Sequence, residues 1–111
     1  MYTKVEIRFL RETIQSEVIR RDGGNCLLCG AHGNDVHEVV PRSRFGRSRA
    51  DECFSMRNSA LLCRACHRDA HTQQSRKTLF FVLSKLYGYE YADEPFVKYV
   101  FSEEASENGE Y

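Results

Sequence analysis

The chain has 111 residues, of which 41% are hydrophobic and 29% charged, and its formal net charge at pH 7 is zero. This length and composition are typical of one soluble globular domain with a modest core. No apolar run reaches the roughly 18 residues that a membrane-spanning helix requires, and the N-terminus lacks a signal-peptide hydrophobic region. We therefore expect a cytoplasmic protein that contacts no membrane.

The first half of the chain predicts one long helix and two short strands. Residues 5–22 carry an apolar stripe at helical spacing, and Asp22 with the two glycines after it predicts where this helix ends. The stripe consists of Ile7, Leu10, Ile14 and Val18. Residues 35–40 and 58–63 read as two short strands bounded by turn-forming residues.

The segment between these strands, residues 41–57, contains five arginines and predicts a long polar loop. A helix is predicted over residues 64–74, and a second one over residues 76–87. The apolar stripe of this second helix consists of Leu79, Phe80, Leu83, Leu86 and Tyr87. Residues 96–101 predict a terminal strand or a packed extended segment, and the acidic residues 103–111 predict a disordered tail.

Four of the five cysteines form two C-x-x-C pairs, Cys26 with Cys29 and Cys63 with Cys66. Nothing in the chain points to secretion, so this spacing favours a zinc site of four thiolates over disulfides. Such a site can contribute on the order of 10 kcal/mol to folding, which is comparable to the whole stability of a small domain. Cys53 stands alone and is interpreted as a loop residue or a small core residue.

The stretch CRACHRDAH, from Cys63 to His71, carries two further candidate ligands. In a continuous helix His67 and His71 would lie on one face, because residues four apart are neighbours there. Cys66 and His67 would lie about 100° apart around the axis. One short segment is therefore predicted to serve a structural metal on one side and a second metal on the other.

The neutral net charge hides an uneven distribution. Residues 36–77 hold nine arginines and lysines against four acidic residues, which gives +5, whereas residues 89–111 hold seven acidic residues against one lysine, which gives −6. A basic centre of this kind is typical of a surface that meets a polyanion.

Three stretches, RRDGGNCLLCG, VHEVVPRS and LLCRACH, occur in this order, and Asn58 lies nine residues before His67. In this combination the chain resembles the HNH endonuclease family, in its branch with a four-cysteine zinc site, over roughly residues 18–72. The resemblance implies an α+β fold with a zinc-stabilised, treble-clef-like ββα-metal core, in which two short strands and a helix surround one catalytic divalent cation. It also implies a single nuclease domain over residues 1–102, with its core at residues 18–76 and with helices before and after it.

The resemblance implies a role for each residue that matches the family pattern. His37 and His67 fall at metal-ligand positions, and His71 matches a further ligand of the colicin-type branch. Asn58 matches the middle residue of the motif, which pins a loop so that the base is oriented. The structural zinc ligands implied are Cys26, Cys29, Cys63 and Cys66.

One position departs from the family pattern. Where the family usually has a second histidine, the general base that activates water, this chain has Glu38. A carboxylate can accept a proton, but its ordinary pKa is about 4.3 against about 6.5 for histidine, so Glu38 is a weaker base unless burial raises its pKa. Two interpretations stay open, in which Glu38 is either the base or a metal ligand.

The activity that the resemblance implies is metal-dependent hydrolysis of DNA phosphodiester bonds with low sequence specificity, by a monomer or a weak dimer. The implied cofactors are a structural Zn²⁺ and one catalytic divalent cation. Imidazole ligands favour Zn, Ni or Co at the catalytic position, and an added carboxylate ligand would favour Mn or Mg. Phosphate contacts are expected from Arg42, Arg44, Arg47 and Arg49.

Two other functions compete with this hypothesis. One is a catalytically degenerate zinc-bound module that binds DNA or protein without chemistry. The other is a small zinc scaffold that acts in a complex, with the helix over residues 76–87 as its partner surface.

Overall fold

The computed structural model describes residues 1–101, so the tail predicted for residues 103–111 lies outside the described residues. The described chain is an α+β fold, with helices packed against a two-stranded sheet. Its helices and strands are α1 (Lys4–Arg21), β1 (Asp35–Glu38), α2 (Ala50–Cys53), β2 (Ser59–Leu62), α3 (Arg64–Arg68), α4 (Gln73–Tyr87) and α5 (Phe96–Phe101). Within residues 1–101, no helix has both the length and the apolar character needed to cross a bilayer.

Helix α1 agrees with the predicted helix over residues 5–22 to within one residue at each end. It begins with a capping box, in which the Thr3 hydroxyl accepts from the Glu6 N–H at 3.1 Å and the Glu6 carboxylate accepts from the Thr3 N–H at 2.8 Å. The predicted apolar stripe packs against the core, with Ile7 and Val18 its most buried members. The stripe therefore anchors α1 and leaves its other faces to solvent.

The two predicted strands are confirmed, and they form an antiparallel pair in which Asp35 lies opposite Leu62 and His37 lies opposite Ala60. All four residues of β2 are buried. Because alternate residues of a strand point to the same face of the sheet, Asp35 and His37 share one face of β1 and Glu38 points to the other. The carboxylate of Asp35 and the imidazole of His37 therefore lie on the same face of β1.

The segment between the strands is not the open polar loop predicted for residues 41–57. It folds into α2 and the three short 3-10 turns Arg42–Arg44, Arg47–Arg49 and Met56–Asn58. It also buries Phe45, Ala50, Cys53 and Phe54. These apolar side chains are spaced too irregularly to show a helical period, and arginines lie between them. The sequence pattern therefore does not predict that they are buried.

The helix predicted for residues 64–74 is wrong in its extent, because α3 ends at Arg68. The N–H of Asp69 closes the last turn of α3, and Thr72 caps the start of α4 with its hydroxyl. His71 therefore lies in the turn between two helices and not on the helix face predicted for it. The break coincides with a new N-cap, because the Thr72 hydroxyl accepts from the Ser75 N–H and starts α4.

Helix α4 begins three residues before the helix predicted over residues 76–87. It ends at Gly88, whose φ of 76° is the left-handed conformation that glycine adopts without strain. Three of the five predicted stripe residues, Leu79, Phe80 and Leu83, are buried. The position predicted for Leu86 in this stripe is wrong, since 57% of the residue is exposed.

Residues 96–101 form α5, not the strand or extended segment that their aromatic and β-branched composition predicts. Phe96 is fully buried, and its ring centroid lies 6.0 Å from that of Phe80 and 5.5 Å from that of Tyr91. Packing of this aromatic cluster against α4 thus outweighs the local preference for a strand.

Candidate functional site

The four paired cysteines converge at one point between the first knuckle and the start of α3. All four sulfur atoms lie within 4.8 Å of one another, and the sulfurs of Cys29 and Cys63 are 3.6 Å apart. Zn–S bonds of about 2.3 Å in a tetrahedral site place sulfurs about 3.8 Å apart. The geometry of Cys26, Cys29, Cys63 and Cys66 therefore fits a structural metal such as zinc, as predicted.

Ionisation of these thiols also favours a bound cation. Burial opposes ionisation of Cys26, but hydrogen bonds from the backbone N–H groups of Cys63, Cys29 and Leu28 outweigh it and lower the pKa of that thiol to about 6. Neighbouring sulfurs, Cys63 foremost, together with burial raise the pKa of Cys66 to about 12. Four adjacent thiolates repel one another, and a divalent cation between them removes this repulsion.

The fifth cysteine, Cys53, lies apart from this cluster and is fully buried. Burial, together with the charge of the nearby Glu38 carboxylate, raises the pKa of its thiol to about 12. Cys53 is therefore a small protonated core residue, as the sequence predicts.

Three imidazoles form a second group of potential ligands. His37 comes from β1, His67 from α3 and His71 from the turn after α3, and one ring nitrogen of each lies within 4.8 Å of the other two. The ring centroid of His37 is 5.0 Å from that of His67 and 5.3 Å from that of His71. Zn–N bonds of about 2.0–2.1 Å require nitrogens about 3.4 Å apart, so small side-chain adjustments suffice for a shared cation.

His37 supplies the observation that most favours a cation at this point. Its Nε2 atom is buried and has no hydrogen-bond partner among the described residues. Burial, followed by the charges of His67, His71 and Arg76, lowers the pKa of His37 to about 3, so the ring is neutral at physiological pH. A buried polar atom without a partner costs about 1–3 kcal/mol, and coordination of a cation by the neutral ring would satisfy it.

Asp35 lies beside this group, although it is not among the site residues predicted from the sequence. Its Oδ2 atom lies 3.0 Å from Nδ1 of His67, and the Arg64 guanidinium donates to both carboxylate oxygens at 3.1 and 3.3 Å. The hydrogen bond from His67, followed by those from Arg64, lowers the pKa of the Asp35 carboxyl, which therefore stays ionised. With Nδ1 donating to this carboxylate, Nε2 of His67 is left for a metal. The sequence feature that points to Asp35 is its two-residue spacing from His37 in the predicted strand, which places both side chains on one face.

Glu38 lies outside the group of three imidazoles. Among the described residues, its carboxylate is not one of the atoms that meet within 4.8 Å. Burial raises the pKa of the Glu38 carboxyl above its ordinary value, and the positive charges of Arg11 and His67 oppose this rise. Alternation along β1 places the Glu38 side chain on the face opposite His37.

Asn58 is fully buried and pins the chain where it leaves β1. Its Oδ1 atom accepts from the Val40 N–H at 2.9 Å, and its Nδ2 group donates to the Val40 carbonyl at 3.1 Å and to the Cys53 carbonyl at 2.9 Å. These bonds hold the segment directly after His37 and Glu38.

The four arginines expected to contact phosphate differ in their surroundings. Arg42, Arg44 and Arg47 are exposed. Arg49 is half-buried, pairs with Glu52 at 2.7 Å and donates to the Glu94 carbonyl at 2.7 Å. Its guanidinium is thus held within the protein, which leaves the other three more accessible to a ligand.

His67 and His71 line a surface depression of about 340 Å³ together with Asp35, Arg64 and Arg68, whereas His37 is buried beneath it. His67 additionally lines a neighbouring depression, beside Gln15 and Ile19 of α1. Because Cys66 and His67 are adjacent on α3, this short helix contributes to both groups of potential ligands, as the stretch CRACHRDAH predicts.

A scan against models of protein families, a search of curated proteins and a search of solved structures each found no match to this chain.

Proposed function

We propose that this chain is a metal-dependent endonuclease of the HNH type, which hydrolyses phosphodiester bonds of DNA. The observation that supports it most is the convergence of His37, His67 and His71 around a buried nitrogen without a partner among residues 1–101. The proposal includes a ββα-metal core, formed by β1, β2 and α3, and a treble-clef-like zinc site at the four cysteines that stabilises it.

The three imidazoles would hold one divalent cation and leave further coordination positions open. When bound, such a cation supplies electrostatic stabilisation of the charge that develops on the scissile phosphate and on the leaving oxygen. The ring of His37 is fixed by its buried surroundings, whereas the ring of His67 is oriented by its hydrogen bond with Asp35. The open depression beside these residues, with its two arginines, gives a phosphate room to approach.

Glu38 is the candidate general base. Burial raises its pKa toward the range in which a base works best near neutral pH, while the charges of Arg11 and His67 favour its ionised form. Glu38 lines neither of the two depressions that His67 lines, so in this role its carboxylate would have to reach a water beside His67 from the other face of β1. In the alternative role, as a metal ligand, the Glu38 carboxylate would have to move into the imidazole group.

A second candidate function is a catalytically degenerate zinc-bound module that binds DNA or a protein. The position of Glu38 favours it, because the carboxylate that replaces the usual base points to the opposite face of β1 from His37. Such a protein would keep the cysteine site and the basic surface while lacking hydrolysis.

A plasmid-nicking assay across Mg, Mn, Ni and Zn, paired with a gel shift, separates these functions. A nuclease nicks supercoiled plasmid with at least one metal, and His37→Ala abolishes nicking while zinc stays near one ion per chain. A binding module shifts DNA without nicking it. A zinc scaffold that acts only within a complex does neither, and either of the last two results would overturn the proposal.

A further inference from the structure

A second basic surface lies away from the imidazoles, between α1 and the turns that follow β1. Six residues line a groove of about 270 Å³ there: Lys4, Ile7, Arg8, Arg11, Arg42 and Arg47. Five of the six are cations, and they come from two separate segments of the chain. We call this surface the basic groove.

The described part of the protein offers the basic groove little counter-charge: Glu38 lies near enough to Arg11 for their charges to interact, but no carboxylate lines the groove. Among residues 1–101, none of its five cations has an acidic partner within 4 Å, whereas Arg49 pairs with Glu52 and Arg57 pairs with Asp93. Like charges held together with little counter-charge are unfavourable, and a bound polyanion removes this repulsion.

The basic groove continues toward the candidate metal site along one face of α1. Lys4, Arg8 and Arg11 follow the i, i+4, i+7 spacing of a helix face, and Gln15 and Ile19 continue it. Those last two residues line the depression that His67 also lines. At 1.5 Å per helical residue, the track runs about 10 Å from Arg8 to Gln15 and about 16 Å from Lys4.

We infer that the basic groove binds the phosphate backbone of the DNA strand that flanks the scissile bond. At 3.4 Å per base step along a duplex, a track of about 10–16 Å places the contacted phosphates within about five steps of the imidazoles. A linear row of cations matches such a backbone better than one small anion, which needs donors that converge on a point. This inference rests on the proposed nuclease function and assigns to α1 the task of holding substrate.

The test compares duplex binding by two double variants with the same net charge. Arg8→Gln with Arg47→Gln removes one cation from each wall of the groove, and Arg20→Gln with Lys85→Gln removes two cations that do not line it. Binding of a duplex of about 20 base pairs is followed by fluorescence anisotropy between about 50 and 200 mM salt. Neither added metal nor chelator is present, so the cysteine site keeps its zinc and DNA is not cut.

Removal of one phosphate contact should reduce the slope of log affinity against log salt by about 0.9. The groove variant should therefore show a slope about 1.8 shallower than wild type and an affinity about 60-fold weaker at about 0.1 M salt. The control variant should bind within about twofold of wild type. Equal binding by the two variants would overturn the inference.

Nicking assays on the same proteins separate this inference from the proposed function. If wild type nicks plasmid and the groove variant binds DNA as the control does, the groove inference alone fails. If binding depends on the groove but no metal supports nicking, the groove binds DNA, and both the proposed hydrolysis and the assignment of a flanking scissile bond fail.

Discussion

Oδ2 of Asp35 lies 3.0 Å from Nδ1 of His67, and this contact joins β1 to the helix that carries the candidate metal ligands. An imidazole that donates one ring N–H to a carboxylate is held in one tautomer and one orientation. The contact therefore leaves Nε2 as the nitrogen of His67 that would face the proposed metal. It also makes the proposed metal site depend on a residue outside the recognisable motif.

Replacing Asp35 by alanine should weaken metal binding at the imidazoles by about 10- to 100-fold, because His67 loses the group that orients it. Calorimetric titration of the zinc-loaded protein with Ni²⁺ or Mn²⁺ measures this affinity. Arg64→Gln is the matched control, since it removes the other partner of Asp35 and leaves the Asp35–His67 bond intact. Wild-type affinity in the Asp35 variant would show that this bond does not position a ligand.

Replacing Glu38 by glutamine should lower the nicking rate by about 100-fold or more, because a neutral amide cannot accept the proton of the attacking water. DNA affinity should not fall, since Glu38 does not line the basic groove and its charge opposes that of Arg11. Single-turnover cleavage at saturating metal isolates this step. Glu38→His should retain activity, because histidine is the usual base at this position of the family that the chain resembles. An unchanged rate in the glutamine variant would remove Glu38 from this role.

Replacing Asn58 by alanine should lower the free energy of unfolding by at least about 3 kcal/mol, because buried polar groups of Val40 and Cys53 lose their partners. Urea unfolding in zinc-containing buffer measures the decrease. Ser59→Ala is the control, since it removes the one bond that this hydroxyl donates to the Ser55 carbonyl, and it should cost about 1 kcal/mol. Equal decreases in the two variants would contradict a pinning role for Asn58.

Replacing Cys29 by serine should remove most of the bound zinc and abolish cooperative thermal unfolding, because a structural zinc contributes on the order of 10 kcal/mol to folding. Cys53→Ala should keep a full complement of zinc and lower the free energy of unfolding by only about 1 kcal/mol, since Cys53 lies outside the cluster. Zinc content and circular dichroism are measured on the same samples. A Cys29 variant that melts cooperatively without zinc would show that the metal is dispensable for folding.

The two groups of ligands are predictable from the sequence because metal chemistry restricts both residue type and spacing. The C-x-x-C pairs locate the cysteine cluster, and the stretch around Cys66 and His67 locates two of the three imidazoles, whereas His37 is implied only by the family resemblance. Neither prediction requires the tertiary structure. The long helix α1 is equally predictable from the sequence, because the four residues of its apolar stripe are regularly spaced over about three turns.

Other features depend on packing that no local pattern reveals. The end of α3 at Arg68 follows from a new cap at Thr72, and α5 is helical because Phe96 packs into an aromatic cluster. In the sequence Asp35 has the character of an ordinary surface acid, and only the packing of β1 against α3 brings it beside His67. The basic groove is equally hidden, because it joins cations from segments about thirty residues or more apart in the chain.

Plasmid nicking by His67→Ala, with zinc content measured in the same preparation, tests the proposed catalytic role of the imidazoles most directly. His67 is partly exposed, so its replacement leaves the core intact. Zinc that stays bound to the variant shows that the cysteine cluster is folded. We predict that wild type nicks plasmid with a divalent metal, whereas the variant retains about one zinc per chain and does not nick at any metal concentration. Nicking by the variant at the wild-type rate would contradict hydrolysis at the imidazole site.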